Sequence, residues 1–460
     1  MPPRPGESTA GPDRRRRPAA AAPPLPRCRR AASVAAGPRV GHRARVTTHP
    51  NGSTETTSAP GCPVRKLTRP DDAALPALEL STSGDEPRWV VRTFDVAREV
   101  LRASEGVRQA GFGGDRIHRA GPRMRPPILY LEGQEHHTQR RAAARLFAPK
   151  VTEDYRDLME EVSERLVGRL GTRRPVDLSR LSLLMAVHVA GRVIGLTSSS
   201  VRGMSRRLDA FFAGDSTEKV TDLGSLVRSL RRNSALARFH WFDVRPAIRA
   251  HRRRAAAGAP GQDDVISQLV EQGFSDLDIL TECVTYGAAG MATTREFITV
   301  AVWHLLDDPA LLARYRAAGR DERLAILDET LRLEPVVGHL YRRTTAPLTL
   351  AGPDGPVELP EGTLIDLDIR AVNAEHAVVG DDPLGLCPGR DLPRGVPATL
   401  MSFGDGHHRC PGAPLAIMET EVFVTALLRR DVVADGPPHV QWNEVTQGYD
   451  LDRFFVRVRG

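Results

Sequence analysis

One stretch of the chain, Phe403 to Ala416, constrains the fold most strongly. It reads Phe-Gly-Asp-Gly-His-His-Arg-Cys-Pro-Gly-Ala-Pro-Leu-Ala and has a single cysteine, Cys410. Its three glycines permit tight turns with positive φ angles close to a flat partner. Apolar residues with helical spacing follow from Leu415 to Leu427, so Cys410 is predicted to lie near a helix N-terminus. Unpaired N–H groups and the helix dipole favour a thiolate there, and a thiolate can bind a metal.

The composition predicts a soluble globular protein without a membrane span. Hydrophobic residues make up 41% and charged residues 26% of the 460 residues. The chain has no uninterrupted apolar run of about 18 residues, the length that a membrane helix needs. The five cysteines are widely scattered and form no CxxC pair, which argues against a disulfide framework and against structural zinc. We therefore expect a cytoplasmic location.

The net charge of +7 comes from the N-terminal tail. Residues 1–50 hold eleven arginines against Glu7 and Asp13, so the other residues together carry about −2. A basic nucleic-acid surface is therefore not expected on the folded part, and we expect no nucleic-acid partner. Residues 1–66 are rich in Pro, Ala and Arg and poor in large apolar residues, so they are predicted to be disordered. An alternative is that translation starts later, for instance at Val46, and that residues 1–45 are not translated.

The longest helical pattern runs from Leu277 to Leu306, about thirty residues or roughly 45 Å. Near its middle, Ala289 and Gly290 remove side-chain bulk, so that a ligand can approach the backbone. Thr293 adds a hydroxyl at this point, whereas Ala292 adds no polar group.

Two shorter helical patterns carry charged pairs. His136 and Arg140 are four residues apart on a helix that begins at Glu135, so they share a face. Glu329 and Arg332 are three residues apart on a second helix and face each other.

The stretch around Cys410 resembles the haem-ligand loop of cytochromes P-450. The family pattern Phe-x-x-Gly-x-x-x-Cys-x-Gly is met by Phe403, Gly406, Cys410 and Gly412. The resemblance implies a mainly α fold, a helix-rich prism with a small β region, that binds haem b. It implies that Cys410 is the proximal iron ligand, that Phe403 packs near the sulfur and that His408 reaches a haem propionate.

Further parts of the family pattern recur along the chain. By this resemblance, His136, Arg140 and Arg342 contact the haem propionates. Ala289 to Thr293 corresponds to the distal segment Ala-Gly-x-(Asp/Glu)-Thr, which bends over the iron and delivers protons to bound oxygen through an acid and an alcohol. Ala292 stands at the position of the acid, so the sequence departs from the pattern there.

The resemblance also identifies a structural network behind the haem. Glu329 and Arg332 match the family's Glu-x-x-Arg pair, and Arg390 matches the later arginine that joins it. The matching features span about 270 residues in the family's order. We therefore divide the chain into the tail, residues 1–66, and a haem-binding P-450 domain, residues 67–460.

The function implied is a haem-thiolate monooxygenase that oxidises a small organic substrate of secondary metabolism with O2. Electrons are expected from a ferredoxin or flavodoxin-type partner, because the chain shows no flavin or iron–sulfur domain of its own. Two alternatives are P-450-type oxidative coupling or cyclisation, which Ala292 favours, and a catalytically silent haem-thiolate protein. A zinc site is disfavoured because the adjacent His407 and His408 would rarely share one tetrahedral ion.

A long irregular segment, Gly106 to Pro127, is rich in glycine, proline and arginine. In the family resembled, this segment lies over the distal face of the haem. Five arginines against one aspartate make it basic, so we hypothesise that it binds an anionic group on the substrate or on its carrier. The arginines are Arg108, Arg116, Arg119, Arg123 and Arg125.

Overall fold

The structure is a computed structural model. It describes residues 75–119, 125–212, 233–259 and 264–460. The tail of residues 1–66, for which the sequence predicts disorder, lies outside these residues.

Helices dominate the described part of the chain, as the sequence predicts. Before the central helix they are α1 (Phe94–Arg102), α2 (Gly114–Arg119), α3 (Gly133–Ala144), α4 (Pro149–Asp154), α5 (Arg156–Val167), α6 (Leu178–Ile194), α7 (Val201–Phe212), α8 (Arg245–Ala256) and α9 (Val265–Glu271). The central helix and those after it are α10 (Asp276–Gly287), α11 (Thr293–Asp307), α12 (Pro309–Ala317), α13 (Arg320–Leu333), α14 (Ile369–Asn373), α15 (His376–Val379) and α16 (Ala413–Leu428).

In the described ranges the strands form four small sheets. They are β1 (Leu78–Ser81), β2 (Arg88–Val91), β3 (Val107–Gln109), β4 (Val176–Asp177), β5 (His339–Thr344), β6 (Leu348–Gly352), β7 (Gly355–Leu359), β8 (Leu364–Asp368), β9 (Val432–Ala434), β10 (His439–Asn443), β11 (Gly448–Asp452) and β12 (Phe455–Val458). The largest sheet has the order β1-β2-β8-β5-β3, in which only β2 and β8 run parallel. This order places β5 beside β3, which brings residues of both strands to one site.

Helix α6 shows how the sequence sets the bounds of a core element. The side chain of Asp177 accepts a hydrogen bond from the N–H of Ser179 and caps the N-terminus. Gly195, with φ 96°, ends the helix in the left-handed conformation. Most of the residues between are apolar and buried, so α6 packs inside the protein. The predicted helix from Leu178 to Ile194 is confirmed.

The central helix differs from its prediction at one point. The sequence predicts a continuous α-helix from Leu277 to Leu306, but a π-helical turn at Ala288–Ala292 separates α10 from α11. Such turns widen the backbone by one residue and often occur at functional sites. Hydrophobic periodicity did not reveal it, because the turn contains mostly small residues that fit either geometry.

The hydrophobic core surrounds this helix. The largest cluster joins α5, α6, α11, α13 and α16, and a second joins α6, α8, α9 and α10. A third lies between α1 and the large sheet. The loop that carries Cys410 thus lies between α1 and the start of α16, next to the first and third clusters.

Within the described residues, no helix combines the length and the hydropathy that crossing a membrane requires. Cys283 and Cys410 carry free thiols, whereas Cys387 takes part in a disulfide. One such bond is not the disulfide framework that the sequence argues against.

Candidate functional site

The cysteine loop is held in shape by one backbone bond and two glycines. The N–H of Cys410 donates to the carbonyl of Phe403 at 2.9 Å, which closes the loop. Gly404 and Gly406 have φ angles of 67° and 66°, the left-handed region that favours glycine. A Cβ at Gly406 would overlap the carbonyl oxygen of Leu101, so the end of α1 lies directly against the loop.

The Cys410 thiol is harder to ionise than the sequence predicts. Burial raises the pKa of the thiol above its usual value, although the N–H groups of Gly412 and Ala413 and the charges of Arg140 and Arg409 act in the opposite direction. The helix N-terminus therefore stabilises the thiolate but does not outweigh desolvation, and a bound metal cation would supply the rest. Gly412, the N-cap of α16, has φ −84°, so two of the three glycines of this stretch use a positive φ.

Elements from three parts of the chain meet at Cys410. Arg140 on α3 donates to the carbonyl of Arg409 at 2.5 Å. Phe147 lies beside the loop, and its ring stacks on that of Tyr286 from α10 with centroids 6.5 Å apart. Cys410 is packed densely enough for desolvation to raise the pKa of its thiol, yet part of the residue stays at the surface, so a ligand can approach it. Phe403 is partly buried and packs against the largest core cluster.

Three histidines form a cluster with Glu132 next to this loop. His136 on α3 is 1% exposed, and its ring centroid lies 4.2 Å from that of His408 and 5.4 Å from that of His407. The Nε2 atoms of His407 and His408 both lie 3.1 Å from Oε2 of Glu132. Burial lowers the pKa of His136 to about 3, so this ring is neutral at physiological pH.

Strand β5 directs Arg342 into the protein and Arg343 out of it, because side chains alternate along a strand. Arg342 is 3% exposed and donates to the side chain of Gln109 and to the carbonyl of Tyr341. Arg343 forms an ion pair with Asp115 at 2.5 Å on the other face. Of these two arginines, only Arg342 therefore faces the interior, where it can contact a buried group.

The distal segment is apolar apart from one hydroxyl. Thr293 donates its Oγ1–H to the carbonyl of Ala289 at 2.5 Å. Ala289 is exposed and Ala292 is half-buried, although the helix that carries them crosses the core. None of residues 288–292 has a polar side chain. The next acid, Glu296, accepts from the N–H of Leu451 at 2.7 Å and thus does not replace the missing acid.

The structure brings Glu329, Arg332 and Arg390 together as a buried ion triad. Arg332 makes two hydrogen bonds of 2.8 Å to the carboxylate of Glu329. Arg390 binds Glu329 Oε1 at 2.9 and 3.1 Å. Three of the five remaining hydrogen bonds of Arg332 and Arg390 go to the backbone carbonyls of Pro383 and Gly385. The triad therefore fixes the chain segment that precedes the cysteine loop.

Asn373 joins this triad to the loop, a role that the sequence analysis missed. Its amide donates to the carbonyl of Arg332 at 3.0 Å and to Oγ of Ser402 at 2.8 Å. Its Oδ1 accepts from the N–H of Met401 at 2.9 Å. A single asparagine at a helix end carries no pattern of its own, so no signal in the sequence marked it.

Two acids, one half-buried and one buried, were also missed. Glu132 precedes His136 by four residues, a spacing that could have suggested a shared face. Glu282 on α10 is 4% exposed and accepts from the N–H of Ile128 at 2.9 Å. Burial raises the pKa of Glu282 to about 7.

The basic segment from Gly106 to Pro127 uses its described arginines in internal contacts. Arg108 forms an ion pair with Asp115 at 2.7 Å. Arg125 forms one with Glu135 at 2.8 Å and covers the ring of Phe274 at 3.9 Å. These two arginines therefore do not support the hypothesis of an anionic substrate group. The side chains of Arg116 and Arg119, and the whole of Arg123, lie outside the described residues.

Comparisons with known proteins agree with this geometry. The family model described as "Cytochrome P450" matches residues 324–434. Cyclomarin C epoxidase CymV of Salinispora arenicola is 28% identical over 66% of this chain and 73% of its own length. Mycinamicin IV hydroxylase/epoxidase of Micromonospora griseorubida is 27% identical over 78% of this chain and 86% of its own length. The crystal structure of CYP109E1 from Bacillus megaterium with corticosterone has a TM-score of 0.67, with 20% identity, and covers 84% of this chain and 95% of that protein.

The family model and the named relatives are cytochromes P450, so the class of protein that they indicate for this chain is that of haem-thiolate monooxygenases. Members of this class use a haem iron, O2, an organic substrate and a redox partner.

The residues around Cys410 fit a haem. Both ring nitrogens of His136 and Nε of Arg342 are buried without a hydrogen-bond partner among the described residues. Buried polar atoms are normally paired, so these atoms indicate a polar group that the protein itself does not supply. A haem has two propionate carboxylates, which are acceptors for the unpartnered nitrogens. Its iron is a partner for the Cys410 sulfur.

Proposed function

We propose that this chain binds haem b through Cys410 and hydroxylates or epoxidises a small organic molecule of secondary metabolism in the bacterial cytoplasm. Electrons come from a separate ferredoxin or flavodoxin-type protein. The observation that carries the proposal is a free cysteine, Cys410, on the same loop as His408, whose ring lies 4.2 Å from that of the buried, unpartnered His136. The names of the two bacterial relatives, an epoxidase and a hydroxylase/epoxidase, support the reaction type.

The residues around Cys410 have different roles in this proposal. When bound, haem supplies O2 activation. Cys410 holds the iron, and Phe403 shields one side of the sulfur. His136, Arg140, Arg342 and His408 supply nitrogens for the two carboxylates.

On the distal side, the small side chains at Ala289 and Gly290 leave room for O2 and for the substrate. Thr293 holds a side-chain hydroxyl that can hand on a proton there. Among the described residues this hydroxyl makes one hydrogen bond, donated to the carbonyl of Ala289, so its oxygen lone pairs are available to water.

A spectrum tests haem-thiolate binding. The reduced protein with carbon monoxide is expected to show an absorption band at about 450 nm. This band is the signature of thiolate-ligated haem in this family. The Cys410→Ser variant is expected to lose the band, because a hydroxyl is a much weaker donor to iron. The Cys283→Ala variant, which changes the other described free cysteine, should keep it. A wild-type protein without the band contradicts the proposal.

Proton delivery is tested at Thr293. Valine has the shape of threonine without the hydroxyl, so Thr293→Val removes the proton relay and little else. We expect the variant to divert electrons from product formation to hydrogen peroxide. The ratio of hydrogen peroxide released to NAD(P)H oxidised should rise several-fold. The measurement compares peroxide release and NAD(P)H oxidation for both proteins with one redox partner. Equal ratios would show that Thr293 does not carry the proton.

Oxidative coupling is the second candidate, and Ala292 is the observation that favours it. A reaction that joins two substrate carbons does not insert oxygen and depends less on a distal acid. Products formed under 18O2 distinguish the two: hydroxylation or epoxidation incorporates the label, whereas coupling does not. A silent haem-thiolate protein would consume no O2 with reductant and would not turn over with peroxide.

A further inference from the structure

A cavity of about 390 Å³ lies at the C-terminal ends of α12 and α16, next to the start of α13. This volume falls within the range of small-molecule sites, about 300 to 1,000 Å³. Its lining includes Tyr315 and Thr425, whose hydroxyl oxygens lie 3.4 Å apart, and four arginines against one acid, Asp431. The arginines are Arg316, Arg323, Arg429 and Arg430. The lining is therefore basic, and it attracts anions.

Arg323 is fixed at one end of its guanidinium group and free at the other. Its Nε donates to the carboxylate of Glu421 at 2.8 Å, and its Nη1 donates to the carbonyl of Ala318 at 3.0 Å. Its Nη2 has no hydrogen-bond partner in the described part of the chain. Glu421 also lies 3.6 Å from Arg156, so the carboxylate is shared between two arginines. Arg323 thus keeps a donor group and part of its charge unused.

Arg316 is held in the same way by the end of α16. Its Nε donates to the carbonyl of Leu428 at 3.2 Å and its Nη2 to that of Arg430 at 3.1 Å, whereas its Nη1 has no partner among the described residues. Asp431 lies 3.7 Å from Arg316 but also 3.4 Å from Arg459, so this acid is shared as well. Guanidinium groups that are already held by backbone carbonyls lose little conformational entropy when they bind a ligand.

The other two arginines add positive charge that is weakly paired. Arg429 pairs with Glu164 at 2.9 Å, but the two side chains are 68% and 55% exposed, so solvent screens the pair. Arg430 donates from Nη1 to the carbonyl of Leu170 at 3.5 Å and forms no ion pair within the described ranges. The cavity therefore keeps an excess of positive charge.

We propose that this cavity binds a small organic phosphate. A phosphate group presents three oxygens and up to two negative charges, so it accepts hydrogen bonds from guanidinium groups on different sides. A planar carboxylate is matched by a single guanidinium group and would leave the others uncompensated. The cavity of about 390 Å³ is larger than a phosphate group, which leaves room for the organic part of the ligand.

The proposed phosphate site is separate from the haem site. Helix α16 begins at Ala413, beside Cys410, and ends at the cavity. Its 16 residues place the two ends about 24 Å apart. The phosphate joins the end of α12, the start of α13 and the residues after α16, and it stabilises the folded state as any ligand of that state does. We expect saturating ligand to raise the thermal midpoint by a few degrees.

The test titrates the full-length holoprotein with inorganic pyrophosphate by calorimetry at constant ionic strength. We expect one site per chain and roughly tenfold weaker binding for Arg316→Gln and Arg430→Gln, because each change removes a charged donor. Asp431→Asn removes the acid of the lining, so it should bind a few-fold more tightly. Arg98→Gln, which changes an arginine that pairs with Asp95 on α1, should bind like the wild type.

The control at Arg98 accounts for the loss of one positive charge in a chain with a basic tail. No saturable binding, equal weakening by Arg430→Gln and Arg98→Gln, or weaker binding by Asp431→Asn would overturn the proposal. Citrate that binds as tightly as pyrophosphate would also overturn it, because the cavity would then select charge and not phosphate.

Arg316 holds the end of α16, so Arg316→Gln could unfold that end. A thermal melt of each variant without ligand shows this, and Arg430→Gln, which loses only a long contact, then decides. The inference does not depend on the reaction catalysed. A missing carbon monoxide band refutes the proposed function, whereas missing pyrophosphate binding refutes this site alone.

Discussion

Replacing Glu329 by alanine is expected to destabilise the protein by about 3 to 5 kcal/mol and to remove most of its haem. Glu329 is 3% exposed and holds two guanidinium groups, those of Arg332 and Arg390, as well as the N–H of Cys387. Alanine would leave two positive charges buried without their shared carboxylate. Since Arg332 is also linked through Asn373 to Ser402 at the start of the cysteine loop, the damage would reach the iron site.

The experiment measures the free energy of unfolding in urea and the haem bound per chain after purification. Glu164→Ala is the matched control, because Glu164 also pairs with an arginine, Arg429, at 2.9 Å but on the surface. Exposed pairs contribute about 0 to 1 kcal/mol, so the control should keep its stability and its haem. If both variants unfold at the same urea concentration, the buried triad does not have the structural role assigned to it.

The site could be predicted from the sequence where local spacing decides the geometry. Glu329 and Arg332 lie on one helix, and three residues of separation suffice to place them in contact. The same reasoning places His136 and Arg140 on one face of α3. The family pattern supplied Arg390 and Cys410, whose positions depend on the packing of distant segments and leave no periodic signal of their own.

The sequence could not predict features that depend on burial or on contacts between distant segments. The raised pKa of Cys410 results from desolvation by residues far along the chain, whereas the sequence shows only the helix that follows. Glu132 meets His407 and His408 across about 275 residues. The π turn at Ala288–Ala292 changes the geometry of the central helix without a change in hydrophobic spacing.

Replacing Glu419 by glutamine is expected to stabilise the protein, and more so as the pH rises from 5 to 8. Glu419 lies on α16, the helix that begins beside Cys410, and is 3% exposed. Its Oε1 has no hydrogen-bond partner among the described residues, and burial raises its pKa from 4.5 to about 8. Below pH 4.5 the carboxyl is protonated in both the folded and the unfolded protein. As the pH rises towards 8, only the unfolded chain ionises, which lowers the stability of the folded state.

Glutamine cannot ionise and has nearly the same shape, so it removes this pH-dependent loss. Each pH unit between the two pKa values is worth about 1.4 kcal/mol, which gives roughly 3 kcal/mol in favour of the variant at pH 7. Urea unfolding of both proteins at several pH values between 5 and 8 measures the difference. Glu99→Gln, a change at an exposed residue of α1, should follow the wild type at every pH. A constant difference across this range would mean that Glu419 is ionised in the folded protein, and the buried carboxyl would then need a cation or a water that pairs with it.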